Sequence, residues 1–312
     1  MSNDDLQGLA KTLKEIRFPS RFAVEVNADC NLNCSMCHHD QMVRPKGRMP
    51  FSLWQKCADE VAEIDPKTQV WFSFCGEPLL EPELLLEMLA YGNQVGLQSL
   101  NINTNGVLLT NEVAAKLVVS GVVRIVIGID GFSKKAYDLA RCGGDRDLVY
   151  GHVEYLLGLA KEMENPPEIN VQFIEMECNM GELDTFKEYW LERGATVKAR
   201  NMLSWGGRFD AHLEKKDKRR IPCPWAMTMM HVFWDGRVPR CPGDTEGEDS
   251  VGNAWDNSVL SLWQKLGTYR KLHLAHDFDA LPERCHDCTD WQVGIADRIR
   301  IRDDGLESVT AT

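Results

Sequence analysis

Residues 27–39 read Asn27-Ala-Asp-Cys30-Asn-Leu-Asn-Cys34-Ser-Met-Cys37-His-His39. The C-x-x-x-C-x-x-C run sets three thiolates on one tight loop. Such a loop can hold three corners of a cubic iron–sulfur cluster and leave the fourth iron open to an outside ligand. A structural zinc site wants four protein ligands in a closed tetrahedron, and the spacing fixes no fourth ligand nearby. His38 or His39 could complete such a set, so the loop by itself leaves both readings open.

Outward from the loop, short β-branched runs alternate with longer amphipathic ones. The strand candidates are Phe22–Asn27, Val70–Phe74, Leu100–Asn103, Arg124–Ile129, Asn170–Met176 and Thr196–Asn201. Helical patterns fall between them, over Leu53–Ile64, Pro82–Val95, Asn111–Val119, Leu148–Glu164 and Glu182–Arg193. Strands alternating with helices of this length predict a parallel sheet with right-handed crossovers. Six units fall short of a closed eight-fold barrel. The expected fold is therefore α/β, a partial (β/α)6 TIM barrel open on one side, with its active residues at the C-terminal ends of the strands. The Cys30 loop directly follows the first strand, where that rule places it. The organisation expected is an N-terminal extension over 1–20, the barrel over 21–207, a small C-terminal cysteine-rich domain over 208–300 and a tail over 301–312. Residues 208–221 are charge-rich and read as a surface connection.

The 312 residues carry 44% apolar and 26% charged side chains, ordinary for a globular protein. Met1–Lys14 holds no apolar block behind basic residues, so no signal peptide is visible. The longest apolar stretch, Leu117–Ile129, is interrupted by Ser120, Gly121 and Arg124 and is too polar to span a membrane. Eleven cysteines without a secretion signal argue for metal or cluster ligation in a reducing cytoplasm rather than for disulfides. A formal charge of −12 disfavours nucleic acid as the main partner and is compatible with a small cationic substrate.

A second thiol set lies in the last third of the chain: Cys223, Cys241 and the C-x-x-C arm Cys285-His-Asp-Cys288. On spacing alone this reads as a structural zinc ribbon. Cys57 sits inside a helical pattern and reads as a small buried hydrophobe. Cys75, Cys142 and Cys178 lie near strand ends.

Taken together, from about residue 20 to Trp291, these motifs resemble the radical S-adenosylmethionine superfamily. In that family the three-cysteine loop, here Cys30, Cys34 and Cys37, holds a 4Fe–4S cluster whose open iron chelates the methionine part of S-adenosylmethionine. One electron cleaves that cofactor to a 5′-deoxyadenosyl radical, which abstracts a hydrogen atom. Ser73-Phe-Cys75-Gly76-Glu77-Pro78-Leu79 resembles the family's Gly-Gly-Glu segment, with Glu77 accepting from the cofactor ammonium. Cys75 stands where a glycine is expected, which would narrow the pocket. Asn103-Thr104-Asn105-Gly106 would face the ribose or sulfonium; its plain alternative is a polar turn. Asp130 ends the fourth strand, and Arg141 would pair with the cofactor carboxylate. Gly128 stands where many relatives carry a serine, and Met36 would flank the adenine.

The later cysteines, with Trp234-Asp-Gly236, Cys241-Pro-Gly-Asp244 and Leu262-Trp263, look like a SPASM/Twitch extension. Their number suits one auxiliary 4Fe–4S cluster, so the resemblance implies two clusters in all. It also implies a flavodoxin- or ferredoxin-type electron donor. The spacing is similar to that of Twitch-type dehydrogenases and epimerases of aminoglycoside pathways.

The reaction then depends on what quenches the substrate radical. Cys178 follows the fifth strand and could return a hydrogen atom, giving an epimerase; its plain alternative is a half-buried loop thiol. An auxiliary cluster that takes the electron gives a dehydrogenase instead. Glu175, Glu177, Lys198, Arg200 and Arg208 are candidates for polar substrate groups, or ordinary solvated charges. About twenty residues precede the first strand, too few for a leader-recognition domain, which argues against a ribosomal-peptide maturase. The expected substrate is a sugar or aminocyclitol, epimerised at a carbinol carbon. Oxidation to a ketone and peptide maturation are the alternatives within the family, and a non-catalytic two-site metalloprotein is the alternative outside it.

Overall fold

Alternation along the strand runs decides which face each residue buries. The computed structural model describes residues 13–211, 220–296, 299–302 and 305–308, so most of the N-terminal extension, part of the 208–221 connection and part of the tail lie outside the described residues. The six expected strands are present: β1 (Arg21–Val24), β2 (Gln69–Phe72), β3 (Leu100–Thr104), β4 (Arg124–Gly128), β5 (Glu168–Glu175) and β6 (Thr196–Asn201). A seventh, β7 (Met229–Val232), was not foreseen. It pairs in parallel with β1, from Arg21↔Met229 to Val24↔Val232. The sheet order is β6-β5-β4-β3-β2-β1-β7, every pair parallel, an open α/β sheet of the partial-barrel kind. The cysteine-rich part of the chain thus extends the barrel wall instead of standing wholly apart from it.

On the outer face, Phe22, Val24, Val70, Phe72, Ile102, Ile125, Ile127, Val171 and Phe173 form one apolar core with the helices. The helices are α1 (Phe51–Ile64), α2 (Pro82–Gln94), α3 (Asn111–Val118), α4 (Lys134–Ala140), α5 (Arg146–Lys161) and α6 (Leu183–Glu192). In α1, Leu53, Trp54, Cys57, Ala58 and Val61 recur at helical spacing and are fully buried, with Cys57 serving as the small core hydrophobe expected. Thr110, Ser133 and Asp145 cap the starts of α3, α4 and α5 with side-chain oxygens.

Beyond the barrel come α7 (Pro224–Thr228), α8 (Val259–Leu274), α9 (Glu283–His286) and α10 (Asp290–Ala296). The α8 helix docks on α1, where the Val259 amide donates to Glu60 at 2.6 Å and Lys56 donates to the Asn257 carbonyl at 3.0 Å. Across the boundary expected between 300 and 301, β8 (Ile299–Arg302) pairs antiparallel with β9 (Gly305–Ser308). No helix among the described residues is long and apolar enough to cross a membrane.

Candidate functional site

The three-cysteine loop is strapped on both sides at the C-terminal edge of the sheet. On the β2 side, Asn27 Nδ2 donates to the Glu77 carbonyl at 2.6 Å, and the Glu77 amide donates to the Asp29 carbonyl at 2.8 Å. Gly76 makes that approach possible, because any side chain there would run into the backbone carbonyls of Asn27 and Asp29. On the α4 side, Asn33 and Ser35 amides donate to the carbonyls of Cys142 and Ala140, both at 3.0 Å.

All three thiols are free and partly exposed. Hydrogen-bond donors converge on them: the Leu32 amide on Cys30 and the His39 amide on Cys37. Asn105 Nδ2 lies 3.8 Å from Cys30 Sγ, and Arg141 Nη1 lies 3.6 Å from Cys34 Sγ. Donors of this kind steady sulfur ligands of a cluster. Burial pushes all three thiols up, Cys37 to about 12. Neither histidine completes a zinc set. His39 Nε2 bonds the Ala28 carbonyl, and His38 faces Glu246 and Phe209. Among the described residues no three His, Cys, Asp or Glu groups gather at single-ion spacing. Three thiols on one loop, with amide, Asn105 and Arg141 donors aimed at their sulfurs, fit an iron–sulfur cluster.

The strand-end residues meet around this loop, with duties that differ in part from those expected. Glu77 is fully buried. Its carboxylate accepts from the Leu79 amide, Thr104 Oγ1 and the Asn105 amide at 3.0, 2.7 and 2.7 Å. The side chain expected to meet a ligand ammonium thus ties β2 to β3. Burial pushes its pKa up, against the pull of those donors. Asn105, expected to face the cofactor, donates to Asn31 at 2.8 Å and so braces the cysteine loop. Asn103 is partly exposed on the inner face of β3. Met36 is buried in a patch with Ala140 and Ile174, against which Cys34, Met176, Cys178 and Met202 pack.

Asp130 and Arg141 form a buried ion pair, Nη2 to Oδ2 2.5 Å. Asp130 adopts a left-handed backbone (φ 59°), and its other oxygen accepts the Ile174 amide at 2.6 Å. The guanidinium lies over Gly128, where an added Cβ would overlap its Nη2 and Cζ. The missing side chain at Gly128 makes room for Arg141. Cys75 departs from expectation: only 3% exposed, it sits beside the buried Glu25–Arg44 pair and accepts from Arg44, so it lines the interior instead of narrowing an open pocket.

The four later thiols also gather. Cys223 feels the charges of Cys241 and Cys285, and Cys288 those of Cys223 and Cys241. Burial pushes Cys223 to about 12 and Cys285 to about 11. Amides of Trp225 and Ala226 point at Cys223, that of Gly243 at Cys241 and that of Asp290 at Cys288. Arg240 is buried beside Cys241 and Cys285 and pairs with Asp249. This donor set fits a four-thiolate cluster.

Of the remaining candidates, Cys178 is half-buried in the Met36 patch, while the Cys142 thiol donates to the Leu139 carbonyl at 3.6 Å. Glu175 and Glu177 are exposed. Arg200 Nε donates to Gln172 at 3.1 Å across the inner face, and Lys198 is partly buried on the same strand. Arg208 turns toward the Gly243 carbonyl and Glu248. The sequence reading missed three groups: the Glu25–Arg44 pair, Gln172, and His231 on β7. Alternation within β5 would have flagged Gln172. The others needed knowledge of which distant segments meet.

Residues 24–156 match the Radical SAM superfamily and residues 223–289 an iron–sulfur cluster-binding domain, SPASM. A tungsten-containing aldehyde ferredoxin oxidoreductase cofactor-modifying protein of Pyrococcus furiosus is 25% identical over 269 residues, 80% of this chain and 72% of that one. The AdoMet-dependent heme synthase of Methanosarcina barkeri is 36% identical over 121 residues, 38% of this chain. The match spans 34% of that relative's length. Among solved structures, BtrN in complex with AdoMet and 2-DOIA is similar in fold, with a TM-score of 0.67 at 19% identity over 94% of this chain and 100% of that one. The two matched domains imply a 4Fe–4S cluster with S-adenosylmethionine in the first and further iron–sulfur ligation in the second. With its open parallel sheet and two cysteine sets, the chain carries a Radical SAM domain over residues 24–156 and a C-terminal SPASM domain over residues 223–289.

Proposed function

We propose that the protein epimerises a carbinol carbon of a polar sugar or aminocyclitol, with Cys178 as the hydrogen donor. The carrying observation is the place of Cys178, packed half-buried against the Met36, Ala140 and Ile174 patch that also meets Cys34. The first cluster and S-adenosylmethionine, when bound, supply the one-electron chemistry that removes a hydrogen atom from substrate. Cys30, Cys34 and Cys37 would hold the cluster, and Asn105 and Arg141 steady two of its sulfurs. Met176 and Met202 wall the same space and keep water from a carbon radical.

Cys178 then gives its hydrogen atom to the opposite face of that carbon: the S–H bond breaks, a C–H bond forms, and a sulfur radical remains. One electron and one proton restore the thiol, the electron coming from a flavodoxin- or ferredoxin-type donor. Only a protonated sulfur can make this transfer, and burial pushes the Cys178 thiol up, so it stays protonated at neutral pH.

The gathering of Cys223, Cys241, Cys285 and Cys288 supports a second reading, oxidation of the alcohol to a ketone with the electron passing to that site. One experiment separates the two. Reconstituted protein is incubated anaerobically with S-adenosylmethionine, dithionite and candidate amino sugars in deuterium oxide, and products are weighed by mass spectrometry. Product one mass unit heavier supports epimerisation. Product two units lighter and free of deuterium replaces it with oxidation. Cofactor cleavage stimulated by a short peptide alone overturns the sugar assignment.

A further inference from the structure

Five residues just past β6 thread between the two thiol sets. Met202 packs on the patch with Cys34, Met36 and Cys178. Leu203 and Trp205 belong to a second apolar cluster, with Trp225 and Val293, that Cys223 joins. Between them, Ser204 Oγ comes within 4.0 Å of Cys288 Sγ. Asp290 grips this turn: its Oδ1 accepts from the Ser204 amide at 2.6 Å and from Ser204 Oγ at 2.9 Å, and its Oδ2 from the Gly206 amide at 2.9 Å. Asp290 is itself buried and follows Cys288 by two residues.

Trp205 stands at the centre. Its backbone is left-handed (φ 51°), an uncommon state for a bulky side chain, held only where the surroundings over-determine it. The indole Nε1 donates to the Met36 carbonyl at 2.7 Å. Met36 immediately precedes Cys37 and shares its patch with Cys34.

We propose that Trp205 is a positioning residue that couples the two cysteine sites. The second site fixes the Ser204–Gly206 turn through Asp290. The turn holds the indole in its strained state, and the indole's hydrogen bond sets the Met36 carbonyl and the Cys34–Cys37 arc. The arrangement of the second site is thereby imposed on the first, where Cys30, Cys34 and Cys37 would hold the cluster. The proposal rests on the cofactor reading of the first loop.

The test uses reconstituted protein as Trp205→Phe, Asp290→Asn and the double variant. Iron content, the electron paramagnetic resonance of the reduced first cluster and its titration with S-adenosylmethionine are compared with the parent. Trp205→Phe keeps an aromatic ring in the Leu203, Trp225 and Val293 cluster but removes the N–H donor and part of the ring volume. Iron content should match the parent, the first cluster's signal should shift, and cofactor affinity should fall by about fivefold, the worth of one ordinary hydrogen bond. Asp290→Asn loosens the same turn, so the double variant should lose no more than the weaker single one. An unchanged signal and affinity in Trp205→Phe overturns the coupling, as do losses that multiply in the double variant. A parent that takes up no cofactor instead overturns the cofactor reading, and the coupling with it.

Discussion

Gly128→Ser tests why β4 carries no side chain at its last position. A Cβ there overlaps the Arg141 guanidinium, which cannot easily retreat. It is paired at 2.5 Å with Asp130, whose side chain is 0% exposed, and its other nitrogen approaches Cys34 Sγ at 3.6 Å. Two escapes are open. Local repacking around an over-full site costs about 1–3 kcal/mol. Swinging the guanidinium out leaves a buried carboxylate unpaired, at about 3–5 kcal/mol. The cheaper route wins, so Gly128→Ser should cost about 1–3 kcal/mol. In an Arg141→Ala background the same serine enters vacated space and can donate to Asp130, so it should be neutral or stabilise by about 1 kcal/mol. The double-mutant cycle should therefore show coupling of about 1–4 kcal/mol. Urea unfolding of the iron-free proteins under reducing, anaerobic conditions measures it, all four variants being compared by midpoint and slope. An equal cost of Gly128→Ser in both backgrounds refutes the claim that the glycine exists for the arginine.

Cys34→Ala should abolish cofactor cleavage, because the loop loses one of its three sulfurs; cleavage retained, read as 5′-deoxyadenosine by chromatography, would sink the cluster assignment. Cys178→Ala should leave cofactor cleavage running with little epimer formed, and a full epimer yield would move the donor role to Cys142 or Cys75. Glu77→Ala strips the acceptor from three buried donors and should lower stability by about 3–6 kcal/mol at about 1–2 kcal/mol each, seen as an earlier urea midpoint. The iron-free protein should weaken above pH 9. Cys37 and Cys223 are pushed to about 12 in the fold from an ordinary value of 9.0, so the stability they lend is complete below pH 9 and is lost as pH rises toward 12. At pH 10 each such thiol costs about 1.4 kcal/mol, and a urea midpoint that does not move between pH 8 and pH 10 would contradict this.

What could be read without coordinates was what repeats locally. Thr196–Asn201 falls where the β-branched pattern put it, and the other strands shift by one to three residues at their ends, β1 most, ending at Val24 rather than Asn27. The three-cysteine loop declared itself by spacing. The four-residue β7 did not, because Met-Met-His-Val is too short to carry a period and takes its place from pairing with β1 across two hundred residues. Glu77 and Asn105 were recognised as site residues, yet their partners are backbone groups and neighbouring side chains that only the folded loop assembles. Gly128 was noticed as a missing serine; that an arginine fills the space is a fact of three dimensions.

Three spare thiols border the first site, and their surroundings rank them as hydrogen donors. Cys75 is 3% exposed and accepts from Arg44 beside Glu25, so its sulfur is turned into the interior. Cys142 gives its S–H to the Leu139 carbonyl just past α4, and its own carbonyl holds the Asn33 amide, so moving it would disturb the cluster loop. Cys178 carries neither constraint. It is half-buried in the patch that holds Met36, between Met176 and Met202, and the charges reaching it from Asp130, Glu182 and Cys142 all favour the neutral thiol. A hydrogen-atom donor must be protonated, reachable and free to rotate toward a planar carbon radical. Of the three, Cys178 is held by neither the Arg44 contact nor the Leu139 bond, and it is therefore the thiol proposed as donor in the epimerase reading.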